Sequence, residues 1–373
     1  MIPADSTVLA EKLSKSCLDD SNNEAAHQEQ KNNIRELEQI ESPLSVFKSF
    51  DDDNINNTVF NFVDAMHNEK YSMKKDLSSE LLPGASIRFS KYGWLLLISK
   101  DNKTPFFYNP FTKMVIRLPD FPDVGRALFL SGMSFSSSPT CPDCVVFALE
   151  RIDGNEISIY AIKRGSRHWR YLVRENLDGS FVPSFNNPVF FRTRFFCLDY
   201  SGTLGCCVVN DKNNNNGLDW TIYTDQLKRF DDAFPSYLVE CDGDLLLVNI
   251  GPIGETVGVF GLDWTNKVWV KVESLGKHML FISNTSSCSA IAPPNSQMEN
   301  KVYFPRLHKD GKGLLFCSLD TGKYHYSIRA QQKNIDAATN FYDTKEMCNS
   351  TWIEPNWSQE SSPTDQDHLG WLN

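Results

Sequence analysis

The residues able to do chemistry in this chain are few and scattered. Cys141-Pro142-Asp143-Cys144 has the C-x2-C spacing of half a zinc site. A structural zinc takes four ligands, and no second C-x2-C or spaced histidine pair follows at a suitable distance. The pair therefore reads as a turn between strands with two reduced thiols, and a thioredoxin-type redox context is missing as well. Gly251, Gly254 and Gly258 form a glycine-rich stretch after the apolar run 245–250. A dinucleotide fingerprint would need its glycines to open a helix, whereas Val257–Leu262 reads as another strand, so a hairpin loop is expected. The seven histidines stand in no metal-ligand spacing. His278 and His308 are expected in surface loops, and His168 at a strand start beside Trp169. There is no nucleophile elbow and no phosphate-cradling loop. Catalytic, cofactor-binding and metal-ligating residues are thus all assigned as none, and no partner-binding residue stands out.

Two basic clusters remain, Lys163-Arg164 with Arg167 and Arg170, and Arg192 with Arg194. As turn and strand-edge charges they discourage edge pairing. As a rim on an acidic protein they would suit an acidic protein partner, with salt-sensitive steering.

The elements that must position these residues follow from composition and pattern. The chain has 373 residues, 41% hydrophobic and 12% aromatic, ample for a folded core. Its net charge of −10 is concentrated at the start, where residues 1–55 hold twelve Asp/Glu against five Lys/Arg. The near-neutral remainder argues against nucleic acid, whose phosphates need clustered Lys and Arg. The Asn/Gln-rich acidic leader reads as a solvated arm, with a short helix expected near Asn32–Ile40 from the spacing of Ile34, Leu37 and Ile40. No signal-like segment or membrane-length apolar run is seen, so the cytoplasm or nucleus is expected. The five Asn-x-Ser/Thr sequons then carry no weight. The ten cysteines, several in apolar runs, read as reduced and mostly buried.

From Leu81 onward, short runs of Val, Ile, Leu, Phe and Tyr alternate with clusters of Asn, Asp, Gly, Ser and Pro, the pattern of many short strands and tight turns. No amphipathic run supplies crossover helices, which disfavours a parallel α/β sheet. One hairpin pattern recurs. Phe107 is followed by Ile116 across Asn109–Lys113, Tyr160 by Trp169 across Lys163–Ser166, and Phe260 by Trp269 across Asp263–Asn266. Phe316 is followed by Tyr324 across Asp320–Lys323, and a weaker copy joins Phe196 to Gly205. With a four-residue loop, positions nine apart lie opposite each other as a cross-strand pair. The copies recur at roughly 50 residues, the size of a four-stranded kelch-type propeller blade. Five blades can be counted, with flanking segments left over to complete a sixth; a β-sandwich with similar hairpins is the alternative.

Beyond this, Lys91-Tyr92-Gly93-Trp94, Phe106–Thr112 and Leu118-Pro119 resemble the opening of a plant family. So do Phe196–Leu204, Tyr237–Val248, Val259–Asp263 with Trp269 and Ser274–Gly276, Asn300–Phe304 and Trp352–Pro355. The family is that of F-box/kelch-like proteins whose C-terminal domain is a KIB-type β-propeller, and the resemblance spans about residues 70–357. It implies the substrate-receptor half of a cullin-type ubiquitin ligase, in which an F-box helix bundle grips a Skp1-like adaptor and the propeller presents the target. No F-box-like segment is recognised before Leu81.

The expectation is therefore an all-β propeller of kelch-like four-stranded blades, five to seven in number. Residues 1–70 are expected as an acidic arm, 71–357 as the propeller and 358–373 as a polar tail. The expected role is a monomeric, non-enzymatic protein-interaction module without cofactor, contacting neither nucleic acid nor membrane. The other readings are a small-molecule binder or enzyme using the central channel, and a degenerate copy. Convergent titratable side chains at the channel mouth would favour the channel; apolar and hydroxyl walls would count against it.

Overall fold

In the computed structural model of the chain, the alternating pattern resolves into 25 strands, with no helix among the described residues. The structure describes residues 40–372 except 41, 52–53, 68, 75–79, 123–129, 153–155, 176–180, 185, 211–216, 224–235, 252–255, 308–312, 328–349 and 358–370. The helix expected near Asn32–Ile40 lies almost wholly outside them.

Six sheets make six blades. Blade 1 holds β1 (Leu44–Asp51), β2 (Asn54–Asp64) and β3 (Lys70–Lys74). Blade 2 is β4 (Ser86–Lys91), β5 (Trp94–Ile98), β6 (Pro105–Tyr108) and β7 (Val115–Arg117). Blade 3 is β8 (Leu130–Phe135), β9 (Val145–Ile152), β10 (Glu156–Lys163) and β11 (Arg170–Glu175). Blade 4 is β12 (Val189–Phe191), β13 (Arg194–Leu198), β14 (Leu204–Val209) and β15 (Leu218–Ile222). Blade 5 is β16 (Ser236–Cys241), β17 (Asp244–Ile250), β18 (Val257–Asp263) and β19 (Val268–Lys271). Blade 6 is β20 (His278–Ile282), β21 (Ser287–Ile291), β22 (Lys301–Leu307), β23 (Leu314–Ser318) and β24 (Lys323–Tyr326). The last strand, β25 (Ser350–Ile353), returns to pair with β1 and completes blade 1.

Blade 1 begins well before the boundary expected at residue 70. That boundary cuts through its β2–β3 hairpin, in which Phe62 stands opposite Tyr71, nine residues on. This is another copy of the repeat, hidden because polar residues dilute the start of β2 and because the blade's fourth strand comes from the far end of the chain.

Four of the recurring hairpins prove to be the outer pair of their blades: β6–β7, β10–β11, β18–β19 and β23–β24. Equivalent positions explain the regular spacing. Only Phe107 and Ile116 face each other as expected. Tyr160 stands opposite Tyr171, two residues beyond Trp169; both Tyr160 and Trp169 nevertheless pack on Phe121, at 4.7 and 5.0 Å. Phe260 likewise stands opposite Lys271, while Trp269 faces Leu262. Phe316 and Tyr324 are out of register by one, so they lie on opposite faces of the blade. The weak copy at Phe196 is an inner hairpin, β13–β14, also shifted by one. Turn length sets register, and a change of one residue reverses which face a side chain takes.

The core divides into six apolar clusters, one in each seam between neighbouring blades. Because strand residues alternate faces, each blade feeds two seams and its inner strands are apolar on both sides, as Leu95–Ile98 and Met279–Ile282 are. Blade 6 departs from the pattern. Its β20 lies between β21 and β22 and pairs with β22 in parallel, so the sheet has five strands.

Candidate functional site

The innermost strands β4, β8, β12, β16, β21 and β25 converge on the axis and run in one direction. Lys91, Phe190, Glu240, Ser289 and Glu354 therefore gather at one end of the channel, and Ile87, Leu130, Asn187 and Asn284 at the other. We call the first end the mouth face.

Three of the hairpins that open there are two-residue turns with both central residues left-handed: Tyr92-Gly93, Arg192-Thr193 and Asp242-Gly243. Such turns match the twist of the strands they join and favour Asn-Gly or Asp-Gly. Asp242-Gly243 complies. Arg192-Thr193 does not, and a β-branched residue at φ 70° is strained. Gly93 has a further reason to be glycine, since a Cβ there would lie 2.3 Å from the Asn356 Cβ.

Inside the mouth, Lys91 Nζ donates to Glu240 Oε2 at 3.3 Å across the channel. Burial by itself would depress the Lys91 ammonium; Tyr92 and Glu240 more than offset it, so its pKa lies above the ordinary lysine value. Glu354 accepts from the Tyr92 amide at 3.3 Å. Ser287, Cys288 and Ser289 form the adjoining wall. Burial, then Glu354, pushes the Cys288 thiol well above its ordinary range, which holds the sulfur neutral at physiological pH. Titratable groups thus do converge at the mouth, in a cavity of about 210 Å³.

The opposite end is closed by the segment leading into β12. Asn187 accepts from the Met133 amide of blade 3 at 2.9 Å and donates to the Asn284 and Thr285 carbonyls of blade 6. Asn186 donates to the Ser236 carbonyl of blade 5. The approach is possible because residue 132 is glycine: a Cβ there would lie 2.6 Å from the Asn186 carbonyl oxygen. Ser286 adds a link between blade 6 and the closing strand, meeting Thr351 Oγ1 at 2.8 Å and donating to the Trp352 carbonyl at 3.0 Å.

On the rim of the mouth face, the strained turn of blade 4 meets an outer turn of blade 5. The Arg192 guanidinium lies 4.9 Å from the ring centroids of both Phe191 and Trp264, and its Nη2 donates to the Gly243 carbonyl at 3.2 Å. Tyr223 packs on Trp264 at 5.8 Å, with Lys267 Nζ 5.2 Å above the tyrosine ring. Arg192 is exposed, Trp264 is half-buried, and the Trp264 indole N–H has no hydrogen-bond partner.

The residues singled out in the sequence fall as follows. Cys144 is buried and donates its thiol to the Ser137 carbonyl at 3.2 Å; burial pushes its pKa up to about 12. Among the described residues no group of His, Cys, Asp and Glu is placed to hold a metal ion. Gly251 and Gly258 flank the β17–β18 hairpin loop, with Gly254 outside the described residues. His168 is exposed beside buried Trp169. His278 was expected in a surface loop and is instead buried at the start of β20, its Nδ1 3.2 Å from the Leu275 carbonyl oxygen. The misreading arises because β20 is the strand that the regular blade does not have. His308 lies outside the described residues. Both basic clusters belong to the mouth face, at the β10–β11 and β12–β13 turns. Trp264 and Tyr223 were not singled out. The signal available was an aromatic inside an Asp-Trp-Thr-Asn turn, where a polar residue would suffice.

The expected polar tail ends differently from its composition. Residues 358–370 lie outside the description, but Trp371 is 1% exposed in the seam between blades 2 and 3.

A closed ring of six blades, with one face built of tight turns around a shallow mouth and the other end plugged, defines a β-propeller. Residues 60–335 match the family described as KIB1-4 beta-propeller, and the chain belongs to that family. It is 28% identical to the F-box/kelch-repeat protein At1g57790 of Arabidopsis thaliana over 79% of this chain and 78% of that protein. It is 25% identical to the F-box protein At3g56470 of the same plant over 58% of this chain, and spans 56% of that relative's length. Among solved structures, Kluyveromyces lactis Hsv2 aligns over 86% of this chain and 85% of its own at 14% identity, with a TM-score of 0.33. No described helix is long and apolar enough to cross a membrane.

Proposed function

We propose that this propeller is a non-enzymatic protein-interaction module that binds its partner on the mouth face, in the manner of the target-recognition half of an F-box ubiquitin ligase. The observation that carries the reading is the cluster of Arg192, Phe191, Trp264 and Tyr223 on the rim. Arginine, tryptophan and tyrosine are the residues that dominate binding energy at protein interfaces. Here a strained turn holds the arginine beside two rings that stack on each other at 5.5 Å, ready-formed before any partner arrives, which reduces the ordering cost of association. The neighbouring Lys163–Arg170 turn gives the rim a positive flank suited to an acidic partner.

The test is capture of partners from plant tissue by the intact chain, comparing wild type with Arg192→Glu and Trp264→Ala on the rim and Lys103→Glu in the β5–β6 turn at the opposite end, where Lys103 pairs with Asp120 at 3.0 Å. Loss of the same partner from both rim variants, with retention by Lys103→Glu, is the expected result. Retention by all three would refute it. Probing the captured material for the Skp1-like adaptor and cullin separates a ligase subunit from an independent module.

A second reading, a channel ligand, is favoured by the convergence of Lys91, Glu240, Asp242 and Glu354 on the mouth. Its cavity of about 210 Å³ is below the roughly 300–1,000 Å³ of typical small-molecule sites. Lys91 is also already matched by Glu240. A small charged metabolite that raises the melting temperature of wild type but not of Lys91→Ala would support this reading instead.

A further inference from the structure

The C-terminal Trp371 is held as a ligand is held. Its ring stacks on Phe107 with centroids 6.0 Å apart and planes at 28°, within the cluster that also contains Trp94, Phe135 and Ile162. Its carbonyl accepts from the Gly165 amide at 2.8 Å. Gly165 belongs to the β10–β11 turn on the mouth face, has φ +81°, and has nothing within 4 Å of where a Cβ would stand. Leu372, the next residue, is 49% exposed.

Three tryptophans buried within the blades are satisfied differently. The indole N–H groups of Trp169, Trp269 and Trp352 donate to the carbonyls of Pro119, Gly202 and Ile282, at 3.0, 2.8 and 3.1 Å. The Trp371 N–H is buried with no partner, a condition shared with Trp264 and Trp357, the half-buried tryptophans of the mouth face. A buried indole N–H usually finds an acceptor in a permanent core. One aromatic anchor, one backbone hydrogen bond to an open turn and an unmatched donor are instead what an extended peptide makes in a groove.

We propose that this seam is a peptide-docking socket for a partner segment with a tryptophan anchor, and that Trp371 occupies it as a tethered competitor which that segment displaces. The chain's own Trp371, 1% exposed in the seam, shows what the socket accepts. The proposal rests on the interaction-module reading, but its test is separate: a failed peptide titration leaves partner capture on the Arg192–Trp264 rim untouched.

The probe is a fluorescein-labelled peptide of residues 366–373, titrated by anisotropy into the full chain and into Trp371→Ala. Binding to Trp371→Ala that is about tenfold or more tighter than to wild type is expected, since an occupied socket lowers apparent affinity by its vacant fraction. The same peptide with alanine in place of its tryptophan should not bind. Equal binding to both proteins, or none to folded Trp371→Ala, overturns the proposal. Should Trp371→Ala fail to fold, hydrogen exchange in the unaltered chain decides. Gly165 N–H exchanging well before the β10 amides supports a displaceable anchor, and exchange as slow as theirs overturns it. A wild-type dimer with exchanged termini would make the occupant a second copy and also overturn it.

Discussion

Removing the Trp352 ring should unfasten the propeller at its closure. Trp352 lies on β25, the only described strand linking the end of the chain to its beginning, and is 1% exposed. Its ring meets Phe281 edge-on at 4.8 Å and its Nε1 donates to the Ile282 carbonyl at 3.1 Å, so it ties blade 1 to blade 6. Trp352→Ala empties that volume from a packed seam, a change that costs about 3–5 kcal/mol. The stranded Ile282 carbonyl adds about 1 kcal/mol or more. Trp352→Phe keeps most of the apolar contact and loses the hydrogen bond, for an expected loss of about 1–2 kcal/mol. Since domains are stable by about 5–15 kcal/mol, the alanine variant should surrender about a quarter or more of the total. Equilibrium urea unfolding of the three proteins, followed by far-ultraviolet circular dichroism, gives the differences directly. A loss below about 1 kcal/mol for Trp352→Ala, or equal losses for both variants, would refute the idea that packing at this seam holds the ring closed.

Asn187→Ala should cost about 2–3 kcal/mol, because it orphans the Met133 amide and the Asn284 and Thr285 carbonyls together; Asn187→Asp, which keeps only the acceptor, should fall between, as read by urea midpoints. Gly93→Ala should destabilise by about 1–3 kcal/mol, because its Cβ would displace Asn356, whose Nδ2 donates to the Tyr92 carbonyl at 3.1 Å, and the loss should read as a lower urea midpoint. Lys48, whose Nζ donates to the Ala85 carbonyl, has its pKa lowered by burial from 10.5 to about 8. A lowered lysine pKa means that the unfolded chain binds more protons between those values, so stability rises as pH climbs from about 8 to 10.5. Lys48→Met should therefore gain about 1–3 kcal/mol near neutrality, and titrating the unfolding free energy with pH should show that advantage shrinking toward pH 10.5.

Much of the blade was legible because it is local. Phe107 and Ile116 are joined by a turn whose Asn109 side chain accepts from the Phe111 and Thr112 amides at 2.9 and 3.0 Å, and such turns announce themselves by residue type. Asp263 does the same for Thr265 and Asn266. Misplaced registers, as at Tyr160 and Phe316, trace to loop lengths that residue type does not specify. At the site, the basic turns at Lys163–Arg170 and Arg192–Arg194 were visible as charges, but nothing local revealed that they share one face. Lys91 and Glu240 are 149 residues apart and meet only because two blades adjoin the same axis.

What the sequence by itself determined is the repeated hairpin: alternating apolar residues choose a strand, and Asn, Asp and Gly choose the turn, through interactions spanning a few residues. Ring closure was decided by tertiary structure, because β1 recruits β25 from some 300 residues away. The same holds for the inserted strand that buries His278, the Asn187 plug beneath the channel, and the burial of Trp371 at the end of a polar run. Each depends on which blade faces which, and that is set by packing across seams whose two sides are written far apart in the chain.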